Sequence, residues 1–184
     1  MMLIAPFESE RLYYRELLPE DAEAMFAMDN NPQVHRYLGK NPTKSIEETR
    51  KVIAYVRQQY IDNGVGRMAA ILKETGEFIG WVGLKLERNV NGHYTFYDIG
   101  YRLLPQFWGK GYATESAIAF VDYGFNVLKA EKICAYADAD NKASRRALEK
   151  AGLRYISTFE SDYLKSSNGS EMAVWYEIEN PSFK

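Results

Sequence analysis

The sequence predicts a mixed α/β fold, and three observations carry that prediction. Amphipathic runs of helical period alternate along the chain with short runs of strand period. One strand-helix-strand unit, spanning 98–137, requires a parallel pair joined by a right-handed crossover. Elsewhere Thr75-Gly76, Asn91-Gly92 and the run from Ser166 to Gly169 are turn signals that join consecutive strands antiparallel. A mixed, mostly antiparallel central sheet flanked by helices follows.

Arg11 to Leu17 alternates as a first strand. Pro19 suits the first position of a helix, with Glu20 and Asp21 in the first turn, where carboxylates complement the dipole. Ala22, Met25, Phe26 and Met28 are its apolar side, and Asn30-Asn31-Pro32 stops it. After a loop from Gln33 to Gly39, Ser45 and Glu48 form a capping box for a helix that turns Thr49, Val52, Ile53, Val56 and Tyr60 to one side and closes at Asn63-Gly64. Met68 to Leu72 and Phe78 to Leu86 read as strands, and Asn91-Gly92 turns the chain into the strand that carries Asp98.

That strand places Ile99, Tyr101 and Leu103 on one face and Asp98, Gly100 and Arg102 on the other; Pro105 ends it. The helix that follows buries Ala113, Ala117, Phe120, Val121, Phe125 and Leu128. Lys132 to Ala137 is a further strand, and Asp140-Asn141 opens a last helix with Ala143, Ala147, Leu148 and Ala151 inward, ended by Gly152. Arg154 to Phe159 and Ser170 to Ile178 form a final hairpin, and Asn180 to Lys184 is a loose tail.

Length and composition bound the function. At 184 residues the chain is expected to be a single domain over 1–184, with 46% hydrophobic and 26% charged residues, as in ordinary globular proteins. A formal net charge of -2 gives no sign of a nucleic-acid or anionic-membrane partner. The lone Cys134 rules out an internal disulfide and suits a reducing cytoplasm. Met1 to Pro6 is too short for the apolar region of a signal peptide, and no apolar run approaches the ~18 residues of a membrane span.

Between Pro105 and the helix, Gly109 and Gly111 flank Lys110 where a strand hands over to a helix. Free N–H groups at a helix start, approachable through glycines, make an anion site. It is not a Walker loop, because Gly111 rather than Ser or Thr follows Lys110. Nor is it a dinucleotide fingerprint, since Thr114 stands where that motif needs a small residue. What remains is Gln106, Gly109 and Gly111 inside the run from Ile99-Gly100-Tyr101 through Trp108 to Glu115. That run resembles the acetyl-coenzyme A pyrophosphate loop of the GNAT superfamily of N-acetyltransferases, in the branch of the ribosomal-protein N-terminal acetyltransferases. The element order resembles the family's too, as do Asn30 to Val34 with Arg36 to Leu38, and Asn141 and Ser144 with Leu148 to Gly152.

The resemblance implies acetyl transfer from acetyl-coenzyme A to a primary amine, by direct attack in a ternary complex. Main-chain amides of Gly109, Lys110, Gly111, Tyr112, Ala113 and Thr114 would hold the pyrophosphate, and main-chain groups of Leu103 and its neighbours the pantetheine arm. Lys110 could add a point charge or be a solvated loop lysine; Gln106 could approach the cofactor or brace the loop. Glu115 reads as loop bracing. Asn141 is a good N-cap for Ser144; the resemblance adds a contact to pantetheine for Asn141 and a hydroxyl facing the thiol for Ser144. Many family members place an acidic tyrosine where this chain has Leu148, so that duty passes to Ser144.

An amine must lose a proton before attack, and Asp98, Asp138, Glu160 and Glu171 are the carboxylates to weigh, with Asp98 or Glu160 favoured. His35 and His93 are the only histidines, and no metal site is expected. In the resembling fold the two N-terminal helices wall the acceptor side, so Arg36 and Tyr37 would meet the substrate. The basic run His35, Arg36 and Lys40 points to a peptide N-terminus or amino-acid-like amine over a polyamine. An antibiotic acceptor, a non-catalytic acyl-coenzyme A sensor and a homodimer remain open at this level.

Overall fold

A computed structural model of the protein describes residues 3–39, 41–161 and 171–183. Among these, the strands β1 (Phe7–Glu8), β2 (Leu12–Glu16), β3 (Met68–Leu72), β4 (Phe78–Val90), β5 (His93–Leu103), β6 (Lys132–Asp138), β7 (Arg154–Glu160) and β8 (Met172–Glu179) form one sheet. Its order is β1-β2-β3-β4-β5-β6-β8-β7, and every neighbouring pair is antiparallel except β5 with β6. The helices are α1 (Ala22–Asp29), α2 (Ile46–Asn63), α3 (Tyr112–Asn126) and α4 (Lys142–Lys150).

Local chemistry sets most of these bounds. Ser45 Oγ accepts the Glu48 N–H at 3.3 Å, although the Glu48 carboxylate takes the N–H of Lys44, one residue earlier than a standard capping box. Gly64, at φ 67°, ends α2 with its N–H on Tyr60 O. β4 and β5 extend to Val90 and His93 around a two-residue turn at Asn91-Gly92, four residues longer on the β4 side than the alternation suggested. The turn from Ser166 to Gly169, Lys40 and the last residue of the tail lie outside the described residues.

The sheet separates two faces. α3 packs on one, where Phe120, Phe7, Tyr14 and Tyr123 form an aromatic cluster, and α4 lies beside it. α1 lies on the other, its Asp29 bonded to Arg102. Beyond Arg102 that second face carries an aromatic cluster of Phe96, Trp175, Tyr136 and Phe159 around Cys134, whose thiol burial pushes up to about 12. Two positions expected inward are exposed: Val52, 41% exposed on α2, and Ala143, in the first turn of α4 before that helix reaches the sheet.

Candidate active site

β5 and β6 are parallel yet paired only at Tyr97 with Ile133 and Asp98 with Cys134. Beyond that point β5 runs on to Leu103 and β6 to Asp138 without pairing to each other. A gap therefore opens at the carboxyl ends of the two strands, where ligands enter sheets with parallel pairs. The start of α3 stands at the head of the gap and the start of α4 beside it.

Gly109 (φ 73°) and Gly111 (φ 85°) both take the left-handed conformation, and Gly111 is the N-cap of α3. The first main-chain bond of the helix is Glu115 N–H to Gly111 O at 2.9 Å. The N–H groups from Gly109 to Thr114 find no acceptor among the described residues. Consecutive free amides at the positive end of a 15-residue helix suit a pyrophosphate.

The loop is held from behind. The Glu115 carboxylate accepts from Ser9 Oγ (2.6 Å), Arg11 N (2.7 Å) and Arg11 Nε (2.7 Å), while another guanidinium nitrogen of Arg11 donates to Lys110 O. Burial would raise the Glu115 carboxyl, but the bonds from Ser9 and Arg11 outweigh it and hold the group below its usual range. Arg11 also lies 4.5 Å over the Tyr112 ring. Sequence reasoning missed Arg11 in this setting, because its partner is 104 residues away and no local pattern joins them. Lys110 and Gln106 are exposed, Tyr112 is buried against Phe107, and Ala113 and Thr114 are half-buried. The Leu103 carbonyl accepts from the Trp108 indole N–H at 2.8 Å, which leaves one lone pair of that oxygen.

On α4, Asn141 Oδ1 accepts the Ser144 N–H at 3.1 Å. The Ser144 hydroxyl lies 3.1 Å from the Tyr101 hydroxyl, which donates to Ser144 O at 2.8 Å. Leu148 is buried at 2% exposure one turn later.

The two favoured carboxylates do not converge. Asp98 is 4% exposed and locked to Arg67, whose guanidinium bonds its carboxylate, its main-chain oxygen and Gly83 O. Burial pushes the Asp98 carboxyl up and Arg67 opposes it. The Asp98 carboxylate is thus engaged in a closed pair rather than standing free at the gap. Glu160 is exposed at the end of β7 and lies on the opposite sheet face from Asp98: its neighbour Phe159 packs toward Trp175 on the Asp98 face, and strand alternation turns Glu160 away.

Arg36 and Tyr37 sit in a 3-10 turn (Val34–Tyr37), with Arg36 exposed and its guanidinium 5.2 Å over the Tyr37 ring. His35 turns inward instead: it is 6% exposed, and burial, with Arg102 nearby, lowers its pKa. The loop is thus less basic at its surface than its residues suggest. Arg102 occupies the same region, bonded to Asp29 at 2.8 Å and 4.9 Å over the Trp81 ring.

A mixed sheet that splits between two parallel strands, with a loop of free amides at the head of the split, fits the acyl-coenzyme A site that the resemblance implies. Comparison with known proteins narrows the class. The model of the acetyltransferase (GNAT) domain matches residues 11–154. An uncharacterized N-acetyltransferase, YoaA, of Bacillus subtilis (strain 168) is 33% identical over 147 residues, which cover 80% of this chain and 81% of that protein. The spermidine N(1)-acetyltransferase of Escherichia coli (strain K12) is 29% identical over 138 residues, 75% of this chain and 70% of that one. The crystal structure of a GNAT-family acetyltransferase from Bacillus anthracis superposes with a TM-score of 0.77 at 26% identity, covering 96% of this chain and 99% of that one. The chain belongs to the GNAT acetyltransferase family and is an acetyl-coenzyme A-dependent N-acetyltransferase.

Proposed function

We infer that the protein acetylates a peptide N-terminus or an amino-acid-like small amine, with acetyl-coenzyme A lying along the gap between β5 and β6 and the amine entering from the face that carries α1. The observation that carries this choice is the state of the carboxylates on that face. Asp29 is bonded to Arg102, Asp98 to Arg67 and Glu87 to Lys85, and Asp138, which accepts the Asp140 N–H, is only 1% exposed. A polyamine needs carboxylates left over to receive its charges. The remaining surface there is half-buried and aromatic, with Trp81, Tyr136 and Phe159.

Proton chemistry supports the same reading. With Asp98 held by Arg67 and Glu160 on the other face, the two favoured bases are not available at the gap, and the amine gives its proton to water or to Asp138 at the end of β6, whose second carboxylate oxygen is buried without a partner among the described residues and whose pKa burial raises. An α-amino group of pKa ~8 is about half neutral at pH 8, whereas an alkylamine near ~10.4 is roughly 0.4% neutral. A site whose favoured carboxylates are engaged elsewhere suits the first. When bound, acetyl-coenzyme A supplies the activated thioester. The amine lone pair forms the C–N bond, the C–S bond breaks with its electrons on sulfur, and Ser144, on the α4 face of the gap, hydrogen-bonds the developing thiolate. Amine and leaving group thus approach from opposite faces of the sheet.

Thiol release from acetyl-coenzyme A, measured with short peptides, amino-acid amides and spermidine, tests the reading. Peptides or amino-acid-like amines should exceed spermidine in kcat/KM, and Arg36→Glu should narrow the gap. Spermidine as the best acceptor would overturn the choice of acceptor and leave the reaction class standing.

A further inference from the structure

Tyr101 is the residue of β5 that reaches α4. Alternation places it with Ile99 and Leu103 on the α3 and α4 face, beside the gap. Its hydroxyl donates to Ser144 O at 2.8 Å and stands 3.1 Å from Ser144 Oγ. A phenol has one proton. Committed to the carbonyl, the shorter contact, that proton leaves the phenol oxygen as an acceptor for the Ser144 hydroxyl. Tyr101 therefore grips Ser144 twice, by main chain and by side chain. Both residues are half-buried. Leu148, one turn along α4, is buried and offers no proton.

We propose that Tyr101 is a positioning residue for the leaving group: it ties the first turn of α4 to β5 and holds the Ser144 hydroxyl ready to turn toward the sulfur of departing coenzyme A. The proposal rests on the reading of Ser144 given above. In the resting enzyme the Ser144 hydroxyl donates to the Tyr101 oxygen. As the C–S bond breaks and its electron pair moves to sulfur, the hydroxyl rotates about its Cβ–Oγ bond and donates to the thiolate. Ser144 keeps its proton, the amine proton passes to water or to Asp138, and the thiolate, with a pKa of ~8.5 in a free thiol, exchanges with solvent. Tyr101 keeps its own proton throughout, because burial pushes the phenol well above its ordinary value.

The test is a double-mutant cycle on Tyr101→Phe and Ser144→Ala, read in single turnovers where chemistry limits the rate. Phenylalanine fills the same ring space, and melting temperature checks that each variant folds. Tyr101→Phe should lower kcat about three- to tenfold with KM for acetyl-coenzyme A nearly unchanged, the scale of one hydrogen bond. The double variant should be no slower than Ser144→Ala alone. An acetyl thioester of a more acidic aryl thiol should shrink both deficits, since its leaving group needs less help; a purely packing role would leave that ratio unmoved. Full activity of Tyr101→Phe, or multiplicative losses in the double variant, would overturn the proposal while Ser144 kept its part. Unchanged kcat in Ser144→Ala would remove the reading of Ser144 and the proposal with it.

Discussion

Replacing Asp98 by asparagine separates a structural carboxylate from a catalytic one. Asp98 is 4% exposed, and the Arg67 guanidinium meets its carboxylate, its main-chain oxygen at 2.7 Å and Gly83 O. The same guanidinium sits against Gly100, where an added Cβ would come within 2.7 Å of it. Asparagine keeps the shape and one acceptor but removes the charge, leaving a buried cation uncompensated. Breaking such a pair costs about 3–5 kcal/mol, and the retained acceptor places Asp98→Asn near the lower figure. In a chain of this size that is a fall of roughly 6–12 °C in Tm. The assay is thermal unfolding without ligand, followed by kcat at a temperature where the variant is fully folded. Stability should fall while kcat per folded molecule stays within about threefold, a difference under 1 kcal/mol in barrier. An unchanged Tm with a hundredfold lower kcat would refute the reasoning and restore Asp98 as the base.

Two further predictions concern the loop. Gly111→Val puts a branched side chain at φ 85°, with its Cβ 3.3 Å from the Arg11 guanidinium; it should cost about 1–3 kcal/mol of apo stability and abolish most of the ~2.7 kcal/mol that acetyl-coenzyme A adds at a hundred times its Kd. A normal ligand-induced rise in Tm for this variant would exclude the loop as the phosphate site. Glu115→Gln should weaken acetyl-coenzyme A binding and cost about 1–3 kcal/mol, the range for hydrogen bonds to a charge. Because the Glu115 carboxyl is held below its unfolded value, its contribution is present above about pH 4.3 and lost as pH falls through the lower folded value. The wild type should therefore lose more stability than the variant between neutral pH and pH 3, and identical acid profiles would contradict the brace.

What the sequence made legible was local. Ser45 and Gly64 mark α2 because a hydroxyl and a left-handed glycine solve the end problems of any helix. Asn91-Gly92 marks the turn because φ is positive at both residues, 48° and 75°. The glycine loop was readable for the same reason. Contacts across the sheet were not. Arg67 and Asp98 are 31 residues apart, and Tyr101 and Ser144 are 43 apart, on elements whose periodicity says which face a side chain takes but not what stands opposite. Glu160 shows a subtler limit. β7 carries an irregularity between Tyr155 and Ser157, one extra residue that shifts the phase of the strand, so counting from its start misassigns the faces beyond. His35 counts with Arg36 in a basic run, yet the 3-10 turn rotates it inward.

Acetyl-coenzyme A is expected to bind at the free amides from Gly109 to Thr114 and along the edge of β5 beyond Asp98, which pairs with β4 but no longer with β6. Amide hydrogen exchange with and without coenzyme A tests it most directly, since unbonded N–H groups exchange freely until a ligand takes them. Protection should be strongest over Gly109 to Thr114 and extend to those amides of Ile99 to Leu103 that face the gap rather than β4. Saturating ligand that left the loop amides exchanging as before, and protected some other surface, would contradict it.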